Sequence, residues 1–229
     1  MTGTWINAAA VLLGSLVGLA LRRALPVRMA ETVLQGVGLA VFLVGLQMRL
    51  EAEKVHLPLF SLAVGAVIGE ALGLEARLER AGRWLEARTA HLDPGRRVNE
   101  GFVTATLLFL VGPMAIVGAI NDGLLGDPAL LITKAVLDGV SAMALASTLG
   151  VGVPLSAGPL LLYQGSISLA AGAARSLFTE PVIQEMTATG GLLVLAIGLN
   201  LLGVAKLRVG NLVPALVVVV LLSRLFGGL

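Results

Sequence analysis

Residues 129–149 read ALLITKAVLDGVSAMALASTL. A bilayer core takes a helix of about 20 mainly apolar residues, and this run has that length. Yet it carries two charges, Lys134 and Asp138, four residues apart. On a helix that spacing puts both on one face, within pairing distance. Alone at a membrane helix centre, each would cost about 2.5–3.5 kcal/mol on the insertion scale. Pairing lowers the joint cost, so the stretch reads as a membrane helix with an internal ion pair. Ser141 follows on the same side.

The rest of the chain has the same character. Of 229 residues, 57% are hydrophobic and 13% charged. A soluble domain carries about 25% charged residues, because its surface must face water. Eight apolar stretches have spanning length: 4–21, 32–49, 57–74, 101–120, 129–149, 155–174, 187–205 and 209–226. Unpaired backbone is too costly in lipid, so each must be a helix. The expected fold is an all-α polytopic membrane protein, one transmembrane domain over 1–229 with about eight helices. A seven-helix count is the rival, because the fifth span is the most polar and its link to the sixth is short. The first run starts at Thr4–Trp5 with no basic stretch before it and no small-residue cleavage site ahead of Arg22–Arg23, so it reads as a retained helix.

Composition narrows the chemistry. There is no cysteine and there are two histidines, His56 and His91, which leaves no multi-histidine or thiolate metal set. No GxxxxGK[ST], HExxH or GxSxG motif is present. The expectation is therefore a non-enzyme without cofactor. The net charge of +2 rests on arginines between apolar runs and makes no nucleic-acid surface. With the N-terminus outside, inner segments hold Arg22, Arg23, Arg28, Arg77, Arg80, Arg83, Arg88, Arg96, Arg97, Lys206 and Arg208. Outer ones hold Arg49, Lys54, Arg175 and Arg224. Eleven against four is a positive-inside bias that puts both termini outside. In the long inner loop, Leu74, Leu78, Ala81 and Leu85 recur at helical spacing with Trp84 beside them. That predicts an amphipathic helix over 75–92, ending before Pro94–Gly95. It suits an interfacial helix on the inner leaflet or a connector packed on the bundle.

The two ends of the chain resemble each other. Gly36-Val-Gly-Leu-Ala-Val-Phe-Leu-Val-Gly-Leu-Gln47 aligns with Thr189-Gly-Gly-Leu-Leu-Val-Leu-Ala-Ile-Gly-Leu-Asn200, and Gly14-Ser15 parallels Gly165-Ser166. Repeat A (4–74) and repeat B (155–226) would then flank two central helices within 101–149. Span one starts outside and span six inside, so the repeats are inverted, an architecture suited to alternating access.

Several other residues invite chemistry. Pro113, inside Phe102–Asn121, removes a backbone donor and clashes with the carbonyl of Phe109, so the fourth span should kink or break there. Freed carbonyls at such a break can hold an ion, or the kink can serve packing alone. Asn121-Asp122-Gly123 and Gly126-Asp127-Pro128 read as turns. Asp122 would cap a turn or attract cations at the outer mouth. Gln164 lies mid-span, Gln47 and Asn200 occupy matched repeat positions, and Asn7 lies near the start of span one. Amides in lipid need partners, so each either joins helices or lines a cavity. Glu70, near the inner end of span three, should reach water. Ser61, Gly65, Gly69 and Gly73, like Gly14 and Gly18, recur every fourth residue and predict close helix approach, within the bundle or between the protomers of a homodimer.

Ala105-Thr-Leu-Leu-Phe-Leu-Val-Gly-Pro-Met-Ala-Ile116, Asn121-Asp-Gly123, Lys134-Ala-Val-Leu-Asp-Gly139 with Ser141, Tyr163-Gln-Gly165 and the start Gly3–Ala8 form a set. Together they resemble the YdfK/YqgA family of bacterial membrane proteins, domain of unknown function 554. The resemblance covers essentially the whole chain and implies an inner-membrane location and a polytopic helical fold. It supplies no activity. The residues themselves point to a small secondary-active transporter of an ion or small solute, with protons or sodium as coupling ion. Lys134, Asp138, Ser141, Gln164, Pro113, Asn121, Asp122, Gln47 and Asn200 are its candidate lining. An ion channel and a non-transporting membrane partner subunit are the alternatives.

Overall fold

The computed structural model describes residues 1–22, 27–50, 56–89, 98–174 and 177–226. Among these there is no strand. The helices are α1 (Thr2–Arg22), α2 (Val27–Leu50), α3 (His56–Leu72), α4 (Leu74–Thr89), α5 (Val98–Leu110), α6 (Pro113–Leu124) and α7 (Ala129–Leu149), then α8 (Gly152–Leu155), α9 (Ala157–Leu169), α10 (Ala171–Ala174), α11 (Glu180–Leu201), α12 (Val209–Leu212) and α13 (Ala215–Phe226). Four helices are long and apolar enough to cross a membrane: Thr2–Arg22, Arg28–Leu50, Ala129–Leu149 and Glu180–Leu201. Two bent pairs bring the number to as many as six. Arg23, Lys54, Arg96, Arg97, Arg175 and the Pro94–Gly95 stop lie outside the described residues.

α7 shows the polarity that lipid demands. Val136 and Val140 are 64% and 57% exposed, whereas Lys134 and Asp138 are 6% and 7% exposed. The apolar face looks out and the charged face looks in, the reverse of a helix on a water-soluble protein.

The chain forms two compact units. The first comprises Met1–Val37, Leu78–Leu110 and Met114–Gly172. Within it α1 lies parallel to α7, with Gly14 against the main-chain oxygen of Gly139 and Gly18 against that of Met143. A Cβ at either glycine would collide with that oxygen, so glycine is what permits the approach. α5 and α6 run antiparallel to α7: Gly101 meets Leu149 near one end and Gly118 meets Leu131 near the other. They run parallel to α8 and α9. Gly152 abuts the carbonyl of Val98, Gly123 abuts that of Ser168, and the Ser168 hydroxyl donates to the Ala119 carbonyl at 2.8 Å. Gly82 of α4 packs on Asn99, while Arg88 lies 4.5 Å over the exposed Trp84 ring.

The second unit comprises Gly38–Arg77, Val111–Pro113 and Ala173–Leu229. Here α3 runs antiparallel to α12 and α13, with Gly65 against Ala215 and Gly69 against Asn211. α2 and α11 also pair antiparallel: Gly45 meets Leu195, and Gly198 meets Phe42. A polar network closes one end. Arg208 and Asn211 donate to the Glu70 carboxylate at 2.7 and 2.6 Å, the Glu75 N–H donates to Asn211 at 2.8 Å, and the Gly210 N–H donates to Glu75 at 2.5 Å. Glu70 is exposed, as its place at the helix end implied.

Several boundaries differ from the sequence reading. The break expected at Pro113 is present: α5 and α6 are bent by 62°. Gly112 makes the turn at φ +141°, a conformation open to glycine. The apolar stretch 155–174 is also interrupted, at Ser156, where Pro159 would clash with the carbonyl of Leu155 four residues before it. The stretch 209–226 is interrupted at Val213–Pro214. Asn121–Gly123 is the last turn of α6, not a loop. The turn comes after it: the Asn121 carbonyl accepts from the N–H groups of Leu125 and Asp127, and Asp127 accepts from Ala129 N–H at 3.0 Å. α11 begins seven residues before the expected 187, with Pro181 in its first turn where a missing N–H costs nothing.

Candidate functional site

The site is built on α7 of the first unit. Lys134 Nζ donates to both Asp138 oxygens, at 2.7 and 2.5 Å. Asp138 is the tenth residue of a helix of 21, so the pair sits in its N-terminal half and reaches its middle. α1 completes the pair. Asn7 Nδ2 donates to Asp138 Oδ2 at 3.0 Å and to Gln164 Oε1 of α9 at 3.4 Å. Asn7 and Gln164 are fully buried. Three helices thus converge on one carboxylate, held there by the glycine contacts of α1 on α7.

Not all of this polarity is satisfied by protein. Asn7 Oδ1 and Gln164 Nε2 are buried without a hydrogen-bond partner. One is an acceptor and the other a donor, on side chains already joined by one bond. A buried amide atom left unpaired costs about 1–3 kcal/mol, so its retention calls for a role.

Gly101 lies opposite Leu149 and Gly118 opposite Leu131, so within the first unit Leu110 and Met114 flank the level of Asp138. Pro113, the first residue of α6, belongs to the second unit. Ser141 is half-buried one turn beyond Asp138.

The remaining expected residues do other work. Asp122 is buried and accepts from the N–H groups of Gly3 at 2.9 Å and Thr4 at 3.3 Å, and one of its oxygens lies 3.3 Å from the Met1 nitrogen. It thereby satisfies donors that the first turn of α1 cannot pair internally and puts negative charge at the positive end of the helix. Asn121 acts through its carbonyl in the turn after α6. Asn200 and Gln47 belong to the second unit. Asn200 clasps the turn after α11, accepting from Leu207 N–H and donating to the Leu207 carbonyl, both at 2.8 Å. Gln47 is exposed on α2. Two features escaped the sequence reading. Glu185 is buried in α11, two residues before the apolar stretch that begins at 187. Thr4 and Ser15 lie on the same buried face of α1 as Asn7, at intervals a helical count would have found.

Outward-facing apolar helices around a buried ion pair define an all-α membrane protein. The chain belongs to the family described as "Protein of unknown function (DUF554)", which it matches over residues 2–224. It is 32% identical to the "Uncharacterized membrane protein YdfK" of Bacillus subtilis, covering 99% of each chain. It is 33% identical to the "Uncharacterized protein YqgA" of Escherichia coli, covering 96% of this chain and 95% of that one. No solved structure matches it.

Proposed function

We propose that the chain is a small secondary-active transporter of eight transmembrane helices in the bacterial inner membrane, with both termini outside. It carries an ion or small solute, with a proton or sodium ion as coupling ion, and performs no catalytic step.

Helix directions support the count of eight. In a chain that crosses at every span, odd spans run one way and even spans the other. α1 and α7, spans one and five, run parallel; α2 with α11 and α3 with α13, spans two with seven and three with eight, run antiparallel. A seven-span count omitting α7 would make the flanking spans consecutive and antiparallel, whereas Val98–Gly152 and Ala119–Ser168 run parallel. Inverted repeats gain support from contacts that exchange under the sequence match. That match sets Gly38 on Gly191 and Gly45 on Gly198. Gly38 faces Leu201 and Leu202, and Gly191 faces their counterparts Met48 and Arg49. Gly45 faces Leu195, and Gly198 faces its counterpart Phe42.

One observation carries the transport reading: an ion pair 6–7% exposed inside a membrane-length helix, extended by two amides that each keep one buried atom without a partner. A purely structural pair would close its hydrogen bonds, because nothing in hydrocarbon replaces them. The test uses the full chain in proteoliposomes on a solid-supported membrane, given separate jumps in proton and sodium concentration. The wild type should give a saturable charge displacement that Asp138→Asn abolishes. Equal signals from the two proteins would sink the reading, and a current without saturation would favour a channel.

A further inference from the structure

Most hydroxyls on these helices bond to a carbonyl of their own helix. Ser61 donates to Leu57, Thr133 to Ala129, Ser147 to Ala144 and Thr189 to Glu185, at 2.7 to 3.1 Å. That bond is always within reach of a helical Ser or Thr, and in a bilayer it is the default. Ser15 and Thr106 are buried and forgo it, as does Ser223 on α13; Thr4, in the first turn of α1 with no carbonyl four residues before it, is buried without a partner too. Thr4, Ser15 and Thr106 belong to the unit that holds Lys134 and Asp138. Thr4 and Ser15 share the buried face of α1 with Asn7. The rise of a helix puts Thr4 and Ser15 about 16 Å apart. With Gly14 against Gly139, Ser15 lies beyond the depth of Asp138, and Thr4 lies before it, beside Asp122. Thr106 is buried on α5, four residues before its last residue, Leu110.

We propose that these hydroxyls, with Asn7 Oδ1 and Gln164 Nε2, line a track of internal water along the buried face of α1, and that the ion it delivers to Asp138 is a proton. The unpartnered hydroxyls of α1 are spread over about 16 Å of its length and are not gathered around one point. A metal cation needs several oxygens around one point, whereas a file of waters needs a donor or acceptor every few ångströms. Each water donates to Asn7 Oδ1 or a hydroxyl oxygen, or accepts from Gln164 Nε2 or a hydroxyl. A proton entering from bulk hydronium moves along the file to an Asp138 oxygen and leaves a water behind. Lys134 keeps its charge and loses its counter-ion, so the pair passes from neutral to +1. The groups facing Asp138 are Lys134 on its own helix, Asn7 on α1 and, through Asn7, Gln164 on α9. The choice of proton deepens the transport reading and rests on it; the hydration does not.

The chain has no cysteine, so one thiol can be placed at a time and followed by its S–H infrared band. Thr4→Cys, Ser15→Cys and Thr106→Cys are compared with Ser61→Cys and Thr189→Cys, whose parent residues are equally buried but bonded to their helix. After transfer of the full chain in liposomes to D2O, the three track thiols should become S–D at least about tenfold faster than the two controls. Exchange at the control rate, or fast exchange at Thr4→Cys alone, would overturn the track whatever the transport assay shows. Fast exchange at all three without any proton-driven current keeps the track and removes the transport reading. A current driven by sodium and indifferent to the pH jump removes the proton.

Discussion

In the first unit α1 meets α7 through Gly14 and Gly18; in the second α3 meets α12 and α13 through Gly65 and Gly69. The packing device is the same, small residues one turn apart with a neighbour's backbone in contact. What the units bury differs. The first buries Lys134, Asp138, Asn7 and Gln164 within its helices, all under 10% exposed, with Asp138 and Gln164 at mid-helix. The second puts most of its polar groups at helix ends, where the Glu70 and Arg208 side chains are 61% and 69% exposed. Glu185 and the hydroxyl residues Ser61, Thr189 and Ser223 are buried within its helices as well. Close packing is therefore common to both units, and what sets the first apart is an ion pair buried within its helices.

The largest effect expected from that contrast is on the ion pairs. Lys134→Ala leaves the Asp138 charge buried without its partner and should destabilise by about 3–5 kcal/mol. Arg208→Ala removes an exposed pair and should cost about 0–1 kcal/mol. Thermal unfolding in detergent reads both. Lys134→Ala with Asp138→Ala should recover most of the stability yet show no proteoliposome current. Recovery of both would mean that the pair serves the fold alone. Next come the glycines. Gly14→Val and Gly69→Val force a side chain into a neighbouring main-chain oxygen, and each should cost about 1–3 kcal/mol, with no difference between units. A large difference would break the claim that the packing is shared. Smaller again is Asp122→Asn, which weakens the charge at the start of α1 and should cost about 1 kcal/mol in the same assay.

Much of this was legible in the sequence. The apolar runs mark the helices because lipid allows no other way to satisfy the backbone. The four-residue spacing of Lys134 and Asp138 fixes their pairing, and Pro113 fixes the break. What was not legible depends on partners far along the chain. Asp122 looks like a turn residue by local chemistry, and only the fold brings it to Gly3 and Thr4, more than a hundred residues away. Asn200 gave a repeat match, but its hydrogen bonds serve the turn after its own helix. Helix ends also resisted where polarity misled: Glu185 and Gln184 resemble a loop, although Pro181 gave the helix start. Unpartnered Thr4, Ser15 and Thr106 could not be told from bonded hydroxyls, because the difference lies in rotamer and neighbours.

The smallest effect separates fragility from function. Gly158 is exposed in the first turn of α9, on the helix that carries Gln164, and a Cβ there meets nothing within 4 Å. Alanine loses less backbone freedom than glycine on entering a helix, so Gly158→Ala should stabilise by about 0.5 kcal/mol, less than the mid-helix value because it lies near the end. For a chain of this size that is a rise in the unfolding midpoint of about 1–2 °C. The proteoliposome current should not change. A fall in current with no loss of stability would show that α9 must flex at its start for ion movement. The functional region would then extend beyond the polar groups around Asp138, and burial of polarity would no longer suffice to tell the two units apart.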